Sequence, residues 1–160
     1  MNFACIGGDR RQIETARYLA KNGFFVVTYG LPFVQDLKSV DNINDAINEN
    51  TIVILPVPLS RDNVTVNCDD QFKPIFISDI ISRKPKMVLG GIISEGLEQA
   101  LKNNNILYRD YFKAEPLTVK NAVLTAESAV AIAINSLKDA DSTLLISIIA
   151  TLNPDAIAVP

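Results

Sequence analysis

Five residues near the start of the chain, Gly7-Gly8-Asp9-Arg10-Arg11, combine types that suit anion recognition: two glycines for a tight turn, then two arginines. An arginine's planar fork holds a carboxylate or a phosphate through two parallel hydrogen bonds. Further Gly, Pro or charged pairs follow later apolar runs, at Tyr29-Gly30, Pro56-Val57-Pro58, Gly90-Gly91 and Arg109-Asp110. Whether these can act together depends on the elements that carry them.

Those elements alternate. Phe3 to Ile6 reads as a buried strand, and Asp9 caps a helix in which Gln12 completes a capping-box pattern. Ile13, Ala16, Leu19 and Ala20 give that helix its apolar face, and Gly23 stops it. Strands are expected at Phe24–Thr28, Thr51–Leu55, Met87–Leu89 and Ile106–Tyr108. Helices are expected at Ile43–Asn48, from Pro74 to Ser82, and from a Ser94 cap to Asn103, with a small hairpin around Val64–Val66. Strands and helices in alternation indicate a parallel sheet covered on both faces. The expected fold is therefore α/β: a flavodoxin-like or Rossmann-like, doubly wound parallel sheet of five strands in three αβα layers. A further helix, Ala126–Leu137, capped by Thr125, and an apolar tail follow it.

Composition narrows the chemistry. With 48% hydrophobic and 21% charged residues, the 160-residue chain has the makeup of a compact folded protein. Its net charge of −3 gives no electrostatic reason to expect nucleic acid or an anionic membrane. The sequence has no histidine, which removes the commonest general base and zinc ligand. Zinc hydrolases and Ser-His-Asp hydrolases are excluded on that ground, and no metal site is expected. Two cysteines, Cys5 and Cys68, with no secretory leader point to reduced thiols and a cytoplasmic setting. The apolar stretch Leu144–Leu152 is too short to span a bilayer.

In an open parallel sheet, ligands bind outside the carboxyl ends of the strands, where the Gly and Pro turns fall. One reading is a backbone-lined crevice closed on one side by Arg10 or Arg11. The other is plain turn geometry with solvated arginines. Gly7-Gly8 ahead of a helix also suits a phosphate. Asp9 opposes that, because it sets a carboxylate toward the anion, and the third glycine of G-x-G-x-x-G is missing. Asp69-Asp70 and Asp139 with Asp141 read as solvated loop acids. The same two acids, Asp69 and Asp70, disfavour a Cys68 thiolate.

Four stretches carry a family resemblance: Ile6-Gly7-Gly8-Asp9-Arg10-Arg11-Gln12, Ile54-Leu55-Pro56-Val57, Gly90-Gly91-Ile92, and Lys120-Asn121-Ala122-Val123-Leu124-Thr125-Ala126-Glu127-Ser128-Ala129. On these the chain resembles the N-terminal domain of the A subunit of dipicolinate synthase, which shares the D-2-hydroxyacid dehydrogenase architecture. The resemblance implies a two-domain sporulation oxidoreductase that converts a dihydrodipicolinate-type compound to pyridine-2,6-dicarboxylate. NADP would sit on a second, Rossmann domain, and a flavoprotein-like subunit would be the partner.

For this chain the resemblance implies substrate-side groups at Gly7, Gly8, Asp9, Arg10, Pro56, Val57, Gly90, Gly91, Asn121 and Thr125, with Glu127 and Thr125 as catalytic candidates. Helix capping by Thr125 and a first-turn acid at Glu127 explain those two residues equally well. Leu124 and Ser128 stand where the family has Pro and Gly. Ser142–Pro160 holds no glycine, so no G-x-G-x-x-G cofactor turn follows. The expected organisation is a substrate-side domain over residues 1–138 and an apolar tail over 139–160 that packs on the domain or on a partner. No NADP-binding Rossmann half is expected among them, which suggests a stand-alone or truncated half. A homodimer or a second subunit would cover its apolar surface, and a dicarboxylate small molecule would be its ligand. The alternatives are a non-enzymatic small-ligand or nucleotide-binding regulatory module, or a degenerate scaffold.

Overall fold

The computed structural model describes residues 2–113. The elements are β1 (Asn2–Ile6), α1 (Arg10–Lys21), β2 (Phe25–Tyr29), β3 (Lys38–Ser39), α2 (Ile43–Ala46), β4 (Thr51–Ile54), α3 (Ile77–Ser82), β5 (Met87–Gly90), α4 (Glu95–Asn103) and β6 (Leu107–Asp110), then a 3-10 turn at Tyr111–Lys113. All pairs in the sheet are parallel, in the order β3-β2-β1-β4-β5-β6. The expected α/β doubly wound fold is present, with six strands in place of five. Without β3 the order is the flavodoxin-like one. The two-residue β3 extends it to the Rossmann order. Lys38–Ser39 is too short and too polar to announce a strand. It joins the edge beside β2, where the Ser39 hydroxyl lies 2.9 Å from that of Thr28.

Strand periodicity builds the two cores. Along β1, Phe3 and Cys5 face one side of the sheet, while Ala4 and Ile6 face the other. The first side buries Ile13 and Ala16 of α1 against Val26, Ile52 and Ile54. The second buries Ile43 of α2, Ile80 of α3 and Leu97 and Leu101 of α4 against Val53, Leu55 and Val88. Helices thus lie on both faces, as right-handed crossovers in both directions from β1 require.

Local chemistry explains the element boundaries. Asp9 caps α1, its side chain accepting from the Arg11 N–H at 2.9 Å. Gln12 does not complete a capping box. It is 5% exposed, and its amide donates 3.0 Å to the Ile54 carbonyl, so the polar group serves the end of β4. The helix expected from Pro74 starts only at Ile77. Residues before it stay extended because Val66 N–H donates to Ile75 O at 2.8 Å and Ile77 N–H to Val64 O at 3.0 Å. The expected hairpin at Val64–Val66 is therefore replaced by an antiparallel bridge, Thr65 with Phe76, closed by a longer loop. Ser94 caps α4 as expected, accepting from Leu97 N–H. The last strand begins at Leu107 because Ile106 N–H still bonds to Leu101 O at the end of α4.

The segment between β4 and α3 is polar in sequence but anchored in space. Leu59 and Val66 are both at most 2% exposed, and Leu59 N–H donates 2.9 Å to Gly91 O. Asp62 organises the turn between them, accepting from Val64 N–H, Thr65 N–H, the Thr65 hydroxyl and the Ser60 hydroxyl. These bonds, those from the Thr65 and Val64 amides foremost, hold its carboxyl well below the usual carboxylate range. A group with a depressed folded pKa stabilises fully above its unfolded value of about 3.9, and that stability is lost as pH falls toward the folded value. In Asp62→Asn, urea midpoints measured from neutral pH downward should therefore fall less steeply below pH ~4 than in the wild type. An unchanged acid slope would show that the turn is held by other means.

The helix expected at Ala126–Leu137 and the tail at 139–160 lie outside the described residues. Among the described residues no helix is long and apolar enough to cross a membrane.

Candidate functional site at the carboxyl ends of the strands

Strand order reverses between β1 and β4, which is where a crevice for a ligand opens in sheets of this kind. Gly7 and Gly8 follow β1, Pro56 and Val57 follow β4, Gly90 ends β5, and Gly91 follows it. Asp9 and Arg10 open α1. The structure brings these eight expected residues to one end of the sheet. Asn121, Thr125 and Glu127 lie outside the described residues.

The glycines are there for close approach. A Cβ on Gly8 would stand 2.5 Å from Gln12 Cγ and 3.0 Å from Pro56 Cβ, and one on Gly91 would stand 2.3 Å from Val57 Cγ2. Their turns are already hydrogen-bonded within the protein. Gly7 N–H donates to Tyr29 O at 2.9 Å and Gly8 N–H to Asn67 O at 2.8 Å. Gly91 N–H points at Pro56 O at 3.4 Å, while Ile92 and Ile93 N–H donate to the Asp110 carboxylate at 3.2 and 2.9 Å. Neither turn offers its glycine amides to an anion. The Val66–Cys68 segment lies where a pyrophosphate would have to approach Gly7-Gly8, so the described residues do not fit a dinucleotide there.

Charge at the crevice comes from side chains. Arg10 is exposed in the first turn of α1, and its side chain has no hydrogen-bond or ion-pair partner among the described residues. Arg11 is engaged. Its Nε lies 3.0 and 3.1 Å from the two Asp9 carboxylate oxygens, and its Nη2 lies 2.8 Å from Oδ2. Nη2 also donates 3.0 Å to Val57 O, so the guanidinium bridges α1 and the loop after β4. The Arg11 fork, chiefly through its side-chain hydrogen bonds, holds the Asp9 carboxyl below its ordinary range. Asp9 in turn holds Arg11 higher.

Tyr111 went unrecognised in the sequence, and Arg109-Asp110 was expected only as a strand-end pair, without the part that Asp110 plays. The Tyr111 hydroxyl donates 2.8 Å to Leu55 O, and burial pushes its pKa up to about 12, so it is a fixed donor and no base near neutral pH. Asp110 braces the Gly91 turn through the Ile92 and Ile93 amides. The available signal was position, since Asp110 ends β6 and Tyr111 follows it directly. Cys5 is buried, its thiol pushed up to about 12 by desolvation. Cys68 is raised by desolvation and then by Asp69 and Asp70, as the sequence led one to expect. Among the described residues no group of three or more Cys, Asp or Glu side chains is placed to hold a metal.

The fold is that of two crystal structures. Dipicolinate synthase A from Bacillus subtilis superposes with a TM-score of 0.69 at 22% identity, over 84% of this chain and 48% of that one. Its counterpart from Bacillus halodurans, also the A subunit of dipicolinate synthase, gives 0.68 at 23% identity, with the same 84% and 48% coverage. The chain thus spans about half the length of these solved relatives. No curated protein sequence matches it significantly. Residues 2–112 match the family model for the N-terminal domain of the A subunit of dipicolinate synthase, and the chain belongs to that family.

Proposed function

We propose that this domain is the substrate-side half of a cytosolic dipicolinate-synthase-type oxidoreductase acting in sporulation, and that it binds a pyridine- or dihydropyridine-2,6-dicarboxylate. The observation that carries the reading is Arg10, a cation without a described partner beside the crevice at which strand order reverses. A carboxylate on its guanidinium would form charge-assisted, two-pronged hydrogen bonds. Pro56 and Val57 would wall the ligand, with Gly7, Gly8, Gly90 and Gly91 allowing the loops to close around it. Asn121 and Thr125 are proposed as hydrogen-bond donors to the substrate, and Glu127 as the group that takes a proton. Oxidation of the dihydro ring is assigned to an NADP-bearing domain outside these residues, whether joined to this one or on another chain. A second copy or a second subunit would complete the assembly.

A thermal-shift panel of pyridine-2,6-dicarboxylate, NADP and AMP tests this. A shift with the dicarboxylate is expected, and Arg10→Ala should weaken its binding about tenfold, the worth of one charge-assisted hydrogen bond. A shift with nucleotides alone would favour a nucleotide-binding regulatory module. Silence with all three would indicate a scaffold without a ligand.

A further inference from the structure

We propose that Asp9 is an internal competitor for the ligand's carboxylate, occupying the Arg11 fork until a ligand displaces it, so that Asp9 sets how tightly the site binds anions. The inference rests on the reading of the crevice as a dicarboxylate site. Arg11, and not Arg10 alone, spans the opening, because its Nη2 reaches Val57 O across from α1. The Asp9 carboxylate meets the guanidinium through two oxygens, the arrangement a bound carboxylate would adopt. Nη1 has no partner among the described residues, so a free edge of the same guanidinium faces outward.

Magnitudes make the exchange feasible. Asp9 and Arg11 side chains are 56% and 71% exposed. Ion pairs of that exposure are worth at most about 1 kcal/mol, which caps the competition at roughly a fivefold factor in affinity. An incoming ligand with two carboxylates can meet Arg10 with one and displace Asp9 with the other. Asp9 also caps α1, accepting from the Arg11 N–H. Asparagine caps a helix as well as aspartate does, so one substitution separates the two roles.

The test is calorimetric titration of the full chain with pyridine-2,6-dicarboxylate. Asp9→Asn should bind about three- to fivefold more tightly than wild type at low salt. The gain should vanish near 1 M salt, where screening acts within about 3 Å. Adding Arg11→Gln should erase it, because the fork that Asp9 vacates is then gone and the second carboxylate has no guanidinium to meet. Asp9→Ser, also a capping residue, should behave like Asp9→Asn, and thermal melts confirm that both fold. Unchanged or weaker binding by folded Asp9→Asn and Asp9→Ser, with Arg10→Ala still impaired, overturns this inference and leaves the site reading standing. If neither wild type nor Asp9→Asn binds the dicarboxylate, the site reading falls, and this inference with it.

Discussion

Gly8→Ala is expected to cost about 4 kcal/mol and to lower the melting temperature by roughly 10 °C, with loss of dicarboxylate binding in whatever folds. The residue has φ +94°, a conformation that costs a residue with a Cβ about 1–3 kcal/mol. Sterics add to this, since the new Cβ would lie 2.5 Å from Gln12 Cγ and 3.0 Å from Pro56 Cβ. Gln12 has little freedom to swing away, being buried and tied to Ile54 O. Overpacking of this kind costs about 1–3 kcal/mol more. Gly23→Ala is the control. Its φ is +82° but nothing lies within 4 Å of the new Cβ, so only the conformational cost of about 1–2 kcal/mol remains. Chemical denaturation of the two variants side by side decides the matter. Equal losses would mean that the turn relaxes and that close packing at Gly8 is unimportant.

That prediction depends on the tie between Gln12 and Ile54 O, which the sequence did not reveal. The layers of the fold were legible because short, near-continuous apolar runs such as Phe3–Ile6 and Thr51–Ile54, buried on both faces, alternate with capped amphipathic segments, and these are local signals. The convergence of Gly7, Gly8, Pro56, Val57, Gly90 and Gly91 was legible for a related reason. A parallel sheet puts every strand's carboxyl end on one side, so turn residues after strands gather without any knowledge of contacts. What stayed hidden is how hydrogen bonds are shared between distant segments. Asn67 reaching Gly8, Asp110 reaching Ile92 and Ile93, and Gln12 reaching Ile54 leave no trace in composition or spacing. The same reason explains why Gly7-Gly8 resembled a phosphate cradle. Its residue types fit one, while its amides are committed to Tyr29 and Asn67.

Asp110→Ala is expected to cost about 3 kcal/mol, a loss large for a half-buried residue at a strand end. One carboxylate there serves three backbone donors. Oδ1 accepts from Ile92 N–H at 3.2 Å and Phe112 N–H at 2.9 Å, and Oδ2 accepts from Ile93 N–H at 2.9 Å. Ile92 also holds φ +62°, which a β-branched residue adopts only where its surroundings impose it. Removing the carboxylate takes the acceptor from the Ile92 and Ile93 amides and frees the strained turn, whose neighbour Ile93 is 5% exposed in the core. Asp110→Asn should recover less than half of the loss, because its one carbonyl oxygen cannot replace two and its amide hydrogens would face other donors. Urea denaturation should give these differences, with amide exchange at Ile92 and Ile93 accelerating in both variants. A fully stable Asp110→Asn would show that a single acceptor suffices. Water would then serve the remaining amides, and the Gly91 turn would owe its shape to the packing of Val57 against it.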